Sequence, residues 1–168
     1  MSNGFQKIYG KRFKPLEPKL ILMITKEEAD EKVGNGWLRV WLMFEVLAIN
    51  EKTTKESLES LVNRLEKDIR VKMYKKDFGN LKRVEKPIQN VEFGYSLTCE
   101  AELISKKFDD LVQIVTEYGP SAIEVLEPSK FDLNAGEAQA ILNTISEMMH
   151  QFAAAGAGGI VFIREKSD

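Results

Sequence analysis

The sequence contains one cysteine, Cys99, and one histidine, His150. A single cysteine cannot form a disulfide within the chain, and one residue of each type is too few for a Cys/His zinc site or a Cys-His nucleophile pair. Cys99 lies on the apolar face of an alternating, strand-like stretch, and His150 lies outside the apolar stripe of a helical stretch, so both are predicted to be structural. The sequence predicts no metal and no cofactor, which favours a non-enzymatic protein.

Long apolar runs and a strong excess of either charge are also missing. The longest apolar run, residues 152–163, has about 12 residues, whereas a membrane-spanning helix needs about 20. The net charge of −2 excludes a uniformly basic nucleic-acid binder and a strongly acidic tail. The first residues also lack the order of a signal peptide. These absences predict a cytoplasmic protein with no membrane partner.

The chain does contain alternating stretches typical of strands and amphipathic stretches typical of helices, and its 168 residues are enough for one buried core. Over residues 37–126 their order is strand, helix, strand, strand, helix, strand, which is the order of the ferredoxin-like split βαββαβ motif. We predict an α+β fold with an N-terminal extension at 1–36. Residues 37–168 then form a ferredoxin-like domain that ends in a long amphipathic helix, and the whole chain is a single domain.

Cap and turn residues predict where the helices begin and end. Three capping-box pairs are predicted to begin helices: Thr25 with Glu28, Thr53 with Glu56, and Asn134 with Glu137. Gly119, followed by Pro120, is predicted to end the helix that starts near Phe108. A glycine cluster at 156–159 is predicted to end the last helix, and 160–163 is a candidate terminal strand.

Apolar positions on the inner faces of these elements predict the core. The residues expected to be largely buried are Phe44, Leu61, Tyr95, Leu97, Val112, Val115, Ile123 and Ile145.

Two apolar surpluses predict a homodimer. The strand at 37–49 is apolar on both sides, including Trp37 and Trp41, and such strands are normally covered on both faces. The last helix has a wide apolar stripe that includes Ile145 and Met149, at the spacing of helices that pack on a partner. We therefore predict that Trp37, Trp41, Ile145 and Met149 bind a partner or a ligand. Coverage of the Trp37/Trp41 face by the N-terminal extension is the alternative.

A basic hairpin at residues 70–86 indicates a second function, nucleic-acid binding. Cations that neutralise phosphates alternate there with aromatic rings that stack on bases. Residues 75–80 offer little apolar area, so they are predicted to be a mobile, exposed tip. The stacking signature of RNA-recognition domains is absent, because Val91 and Glu92 stand where Lys or Arg and Gly are expected. The residues predicted to contact nucleic acid are Arg70, Lys72, Tyr74, Lys75, Lys76, Lys82 and Arg83.

The second half of the chain is rich in carboxylates. Glu100 and Glu102 share one face of a predicted strand, and Glu124 could lie across from them. A divalent cation or a general acid/base pair needs such carboxylates, so a carboxylate- or metal-dependent enzyme is a third hypothesis. A solvated sheet face is the simpler interpretation.

One local pattern resembles a known family. Residues 118–120 (Tyr-Gly-Pro), 125–128 (Val-Leu-Glu-Pro) and the helix after them resemble the end of the C-terminal extension domain of WYL-type transcription regulators. The resemblance spans about residues 118–150 and implies a ferredoxin-like regulatory module. In that family the module follows a DNA-binding helix-turn-helix and a WYL domain, and this sequence shows neither. The preferred hypothesis is a non-enzymatic, self-associating module that binds a small ligand or a partner protein in a regulatory role.

Overall fold

A five-stranded antiparallel sheet is the centre of the structure, a computed structural model that describes residues 23–87 and 90–155. In chain order the elements are α1 (Lys26–Gly34), β1 (Leu38–Ala48), α2 (Glu51–Glu66), β2 (Val71–Phe78), β3 (Lys82–Glu85), β4 (Phe93–Ser105), α3 (Phe108–Tyr118), β5 (Ala122–Glu127) and α4 (Ala135–Ala154).

The strand order is β2-β4-β1-β5, and β3 continues the pairing of β2 along the same edge of β4. Both α2 and α3 connect strands that are not neighbours in the sheet, so two βαβ units interlock across it. This order is that of the ferredoxin-like split βαβ fold, and the predicted α+β class with a C-terminal helix is confirmed.

The main core lies between the sheet and the helices α2 and α3. Alternate residues of β1 and β4 point to this side, which we call the helix side of the sheet, and they pack on the apolar stripe of α2. Thr54 is fully buried there, and its hydroxyl donates to the carbonyls of Asn50 and Tyr95 at 2.9 and 3.2 Å. The largest fully buried side chains of the core cluster are Phe44, Leu42, Leu58, Leu65, Met73, Leu103 and Ile114.

The core prediction is confirmed for Phe44 and Leu97 and wrong for Ile123 and Ile145, which are each 41% exposed. Ile145 is exposed because α4 packs beside α3, outside the main core. Helix α3 turns Leu111, Ile114 and Tyr118 into the core, whereas Val112 and Val115 face α4 and are only half-buried. Leu61 packs against the core as a half-buried residue, and Tyr95 is also half-buried.

Two of the three predicted capping boxes are confirmed, at Thr25 and at Asn134. The third is wrong by three residues, because Asn50 rather than Thr53 begins α2. The Asn50 side chain accepts the Thr53 backbone N–H at 2.8 Å, and Asn is a stronger N-cap than Thr. Gly119 ends α3 in the left-handed conformation, as predicted.

Five of the six residues at 75–80 are exposed, as predicted, but the segment is not an unpaired tip. Strand β2 continues through Phe78, the Gly79 N–H donates to the Thr98 carbonyl at 2.9 Å, and β3 resumes pairing at Lys82. The hairpin therefore turns later, between β3 and β4. Ion pairs from Lys75 and Lys76 supply stabilisation that the polar sequence does not suggest.

Several predicted segments lie outside the described residues. These are the first 22 residues of the predicted N-terminal extension, the glycine cluster at 156–159 and the candidate strand at 160–163. Within the described ranges, none of the helices is long and apolar enough to cross a membrane.

Candidate functional site: an apolar surface on β5 and α4

Large exposed apolar side chains are concentrated in one part of the described chain. Of 13 such side chains, nine lie between residues 123 and 152, on β5, on α4 and on the loop that joins them. We call this region the β5–α4 surface. Its nine residues are Ile123, Val125, Leu126, Phe131, Leu133, Leu142, Ile145, Met149 and Phe152.

Helix α4 contributes most to this surface. All 20 of its residues are described, and none is buried. One stripe, with Ile141, Thr144 and Met148, is half-buried on the side that packs against α3. A second stripe lies beside the first, is exposed and apolar throughout, and reaches the groove at Ile145 and Phe152. We call it the free stripe; it consists of Ala138, Leu142, Ile145, Met149 and Phe152.

A groove of about 490 Å³ separates α4 from α3 and β5. Its walls include Val112 and Val115 of α3, Ile123 of β5, and Ile145 and Phe152 of α4. Among its described lining residues none is charged, and the only polar side chain is Thr116, whose hydroxyl donates to the Gln113 carbonyl at 2.9 Å. Such a groove has the volume and the apolar lining of small-molecule sites.

The opposite side of the sheet, which we call the open face, is polar and carries the predicted carboxylates. Trp41 of β1 is half-buried there and donates its indole N–H to Glu100 at 3.0 Å. Glu102 accepts hydrogen bonds from Lys75, at 2.6 Å, and from Tyr74. Burial opposes ionisation of Glu102, but these two bonds outweigh it and lower its pKa, and burial together with Glu102 raises the pKa of Tyr74 to about 12.

Arg39 fixes α1 to this open face. The Arg39 side chain is 9% exposed and donates to Asp30 of α1 and, at 3.2 Å, to the Tyr74 hydroxyl. Its Nε also lies 2.9 Å from Glu127 of β5, at an angle that makes an ion pair without a hydrogen bond. Burial lowers the pKa of Arg39, but the bonds to Asp30 and Tyr74 outweigh it, so the guanidinium stays charged.

The structure does not bring the four predicted partner-binding residues together. Trp41 points to the open face, and Ile145 lies on the helix side with α3 and β5. Met149 is on the free stripe of α4, and Trp37 precedes β1, with the Lys32 ammonium 5.0 Å from its ring centroid. The last helix therefore does not cover the Trp residues. Part of the open face is covered by α1 instead, where Ala29 and Ile104 are fully buried.

Most of the predicted nucleic-acid contacts are paired with side chains of this chain. Three of the cations form ion pairs of 2.6 Å: Arg70 with Asp68 and Glu117, Lys75 with Glu102, and Lys76 with Glu66. The Arg83 guanidinium lies 4.2 Å from the centroid of the Phe93 ring. Lys72 and Lys82 form no ion pair with the part of the chain that the structure describes.

The hypotheses that involve catalysis gain little from the geometry. In residues 23–87 and 90–155, no group of three or more His, Cys, Asp or Glu side chains is placed to hold a metal ion. Glu102 and Glu124 flank Trp41 on the two neighbouring strands, so the indole separates them. Cys99 is fully buried, and burial raises the pKa of its thiol to about 11, which makes it a poor nucleophile.

Sequence reasoning alone did not identify the groove or the free stripe as separate features. The spacing of apolar residues in α4 indicates a wide stripe, but it does not indicate which half packs on α3. The helical positions of Leu142 and Phe152, together with the absence of Lys and Arg from α4, were the available signal.

The fold and this surface define a ferredoxin-like α+β protein with an exposed apolar helix and strand at one edge of its sheet. The chain belongs to the MJ0538 family, which matches it over residues 39–168 and therefore from β1 onward. No curated protein matches the sequence, and no solved structure does.

Proposed function

We propose that this protein is a non-enzymatic module that self-associates through the β5–α4 surface and acts in a regulatory role. The observation that carries the proposal is that nine of the 13 large exposed apolar side chains in the described residues lie on β5, α4 and the loop between them, and that all of these except Leu126, which alternates to the open face of the sheet, belong to the side near α4. Contiguous apolar patches beyond a few hundred Å² are rare on monomeric proteins and usually mark interaction sites.

The energetics favour an association of moderate strength. Complete burial of a large apolar side chain contributes roughly 1.5–3 kcal/mol. The four large side chains of the free stripe are 41–61% exposed, so roughly half of that contribution is still available, about 3–6 kcal/mol per copy and about 6–12 kcal/mol per dimer. Association costs an estimated 4–15 kcal/mol. The two free stripes are therefore comparable to this cost, and the apolar residues of β5 and of the loop before α4 can add to the association.

Two further observations support the regulatory part of the proposal. The segment around residues 118–150 resembles the regulatory extension of WYL-type transcription regulators, and the groove beside α4 has the apolar lining of a small-ligand site. The single cysteine is buried and needs no oxidising compartment, which supports action in the cytoplasm.

Sedimentation velocity at tens of micromolar tests the proposal. We expect the wild type to sediment as a dimer and the double variant Leu142→Glu, Met149→Glu to sediment as a monomer, because the two charges would be buried in the interface. The matched control is Asn143→Glu, Gln151→Glu, which adds the same charges to other exposed positions of α4. A monomeric wild type overturns the proposal, and a dimer that tolerates Glu at 142 and 149 places the interface elsewhere.

Nucleic-acid binding by the hairpin at 70–86 predicts a different result. Retention on a polyanion column that falls steeply with salt would indicate phosphate contacts. If retention also falls in a Lys72→Ala, Lys82→Ala variant, the nucleic-acid hypothesis replaces the present one.

A further inference from the structure

The free stripe of α4 has the spacing of a coiled-coil seam. Its residues follow one another at steps of four, three, four and three, which is the heptad pattern of helices that pair lengthwise. All five are exposed, with Leu142 61% exposed and Phe152 49%, and Ile145 and Phe152 also border the groove toward α3 and β5. From this seam we infer the partner: the α4 of a second copy of this chain packs antiparallel on the free stripe, about a two-fold axis beside Ile145. The inference rests on the proposed function and specifies its geometry.

The charges of α4 favour a second copy over a different partner. The helix contains no Lys or Arg, and its ionisable residues are Glu137, Glu147 and His150. Each residue advances the helix by about 100°, which places these three at least about 100° away from the centre of the stripe. Coiled-coil helices that select a different partner normally do so with charges beside the seam. Here the flanking positions carry no charge; they are Gln139, Ile141, Ser146 and Met148.

The sizes of the seam residues favour the antiparallel orientation. An axis beside Ile145 sets Ile145 against the second copy's Ile145 and Ala138 against its Phe152, and it brings Leu142 within one residue, about 1.5 Å along the helix, of the level of its Met149. The smallest side chain of the stripe then faces the largest at both ends. A parallel pair would instead set Phe152 against Phe152 at one end and Ala138 against Ala138 at the other, which crowds one end and leaves the other underpacked. A two-fold axis also makes the interface closed, as in most dimers.

The pairing would also place a second helix at the edge of the groove between α4, α3 and β5. Ile145 and Phe152 belong both to the free stripe and to the groove wall. The helix of the second copy therefore lies along the edge of the groove that α4 forms.

Cysteine cross-linking tests the geometry, because the only native cysteine, Cys99, is fully buried. A disulfide needs Cα atoms within about 7 Å, so it reports which residues face each other. We expect Ile145→Cys to form a covalent dimer on mild oxidation. We also expect Ala138→Cys and Phe152→Cys to stay uncross-linked alone and to cross-link when mixed before oxidation. The pair Leu142→Cys and Met149→Cys repeats the test at a second level of the seam, and Gln151→Cys is the control on another side of α4.

The outcomes separate the inference from the proposed function. A sedimenting dimer in which Ile145→Cys does not cross-link overturns the helix pairing and leaves self-association standing. Self-linking of Ala138→Cys and Phe152→Cys, with no gain on mixing, shows a parallel pair and overturns the antiparallel arrangement. A wild type that stays monomeric overturns both.

Discussion

Leu97 shows how one side chain joins the sheet to the helices. It lies on β4 in the main core and is 7% exposed. Truncation to alanine removes apolar contacts and leaves a cavity, so we expect Leu97→Ala to lower the free energy of unfolding by roughly 2–5 kcal/mol. The measurement is the urea midpoint, with the exposed Glu92→Ala as a control that should change stability by less than about 0.5 kcal/mol. An equally small change at Leu97 would mean that the core does not depend on this strand face.

Gly119 and Gly34 both lie at the C-terminal end of a helix but differ in backbone conformation, so they form a matched pair for alanine substitution. Gly119 ends α3 at φ 57°, and nothing lies within 4 Å of a Cβ added at either glycine. The effect of alanine is therefore set by the backbone alone. We expect Gly119→Ala to destabilise by roughly 1 kcal/mol. Gly34 is the last residue of α1 and lacks a positive φ, so Gly34→Ala should be neutral or stabilising by up to about 1 kcal/mol.

Thermal unfolding of the two alanine variants in parallel provides the test. Shifts of the same sign would show that conformation at Gly119 is not what determines the end of α3.

At the scale of elements, Arg70 joins the start of β2 to α3. Its guanidinium donates to Asp68 and Glu117, each at 2.6 Å, and to Gln113 at 3.1 Å. Tyr118 adds a hydrogen bond to Asp68 at 3.0 Å. The bonds from Arg70 lower the pKa of Glu117 and lower that of Asp68 to about 2. A residue that the sequence predicts to bind nucleic acid thus has a structural role in the described fold.

This network predicts how stability depends on pH. Carboxylates with lowered pKa stabilise the fold above their ordinary pKa near 4, and that contribution is lost as pH falls toward 2. At pH 7 we expect Arg70→Met to destabilise by about 1–3 kcal/mol, because Asp68 loses a charged partner. The difference between wild type and variant should shrink between about pH 4 and pH 2.

Urea unfolding at several pH values provides the measurement. Lys52→Met, which removes an exposed pair of 3.7 Å with Glu56, is the control and should change stability by less than about 1 kcal/mol. A difference for Arg70→Met that persists unchanged at pH 2 would show that packing, rather than charge, explains its effect.

The elements also show what a sequence can and cannot reveal. Caps such as Asn134 and Gly119 are predictable because they depend on residues within one helical turn. The strand order is predictable because alternation and turn residues indicate the βαββαβ arrangement. The exposure of Ile123 and Ile145 is not predictable, because it depends on the distance that α4 keeps from β5. The pairing of Lys76 with Glu66 joins residues on two elements, so the sequence alone predicts a loop for the polar run at 75–80.

At the scale of the whole molecule, the two sides of the sheet differ in what covers them. The open face is partly covered by α1, and ion pairs and hydrogen bonds satisfy much of the rest. The helix side is covered by α2 and α3 over β1 and β4, whereas the residues of β5 on that side remain 38–41% exposed beside the groove. The partner-binding residues of this protein are therefore expected on the edge of β5 and α4 rather than around Trp37 and Trp41.

The proposed self-association through that edge would couple folding to protein concentration. When folded chains associate and unfolded chains do not, each tenfold rise in protein concentration adds about 1.4 kcal/mol per mole of dimer to the stability of the folded dimer. For a chain of this size we expect the melting temperature to rise by roughly 1–3 °C per tenfold increase between 1 and 100 µM. The Leu142→Glu, Met149→Glu variant should melt at a temperature independent of concentration, while Asn143→Glu, Gln151→Glu should follow the wild type. A wild-type melting temperature that stays constant over this range would contradict self-association of the folded chain.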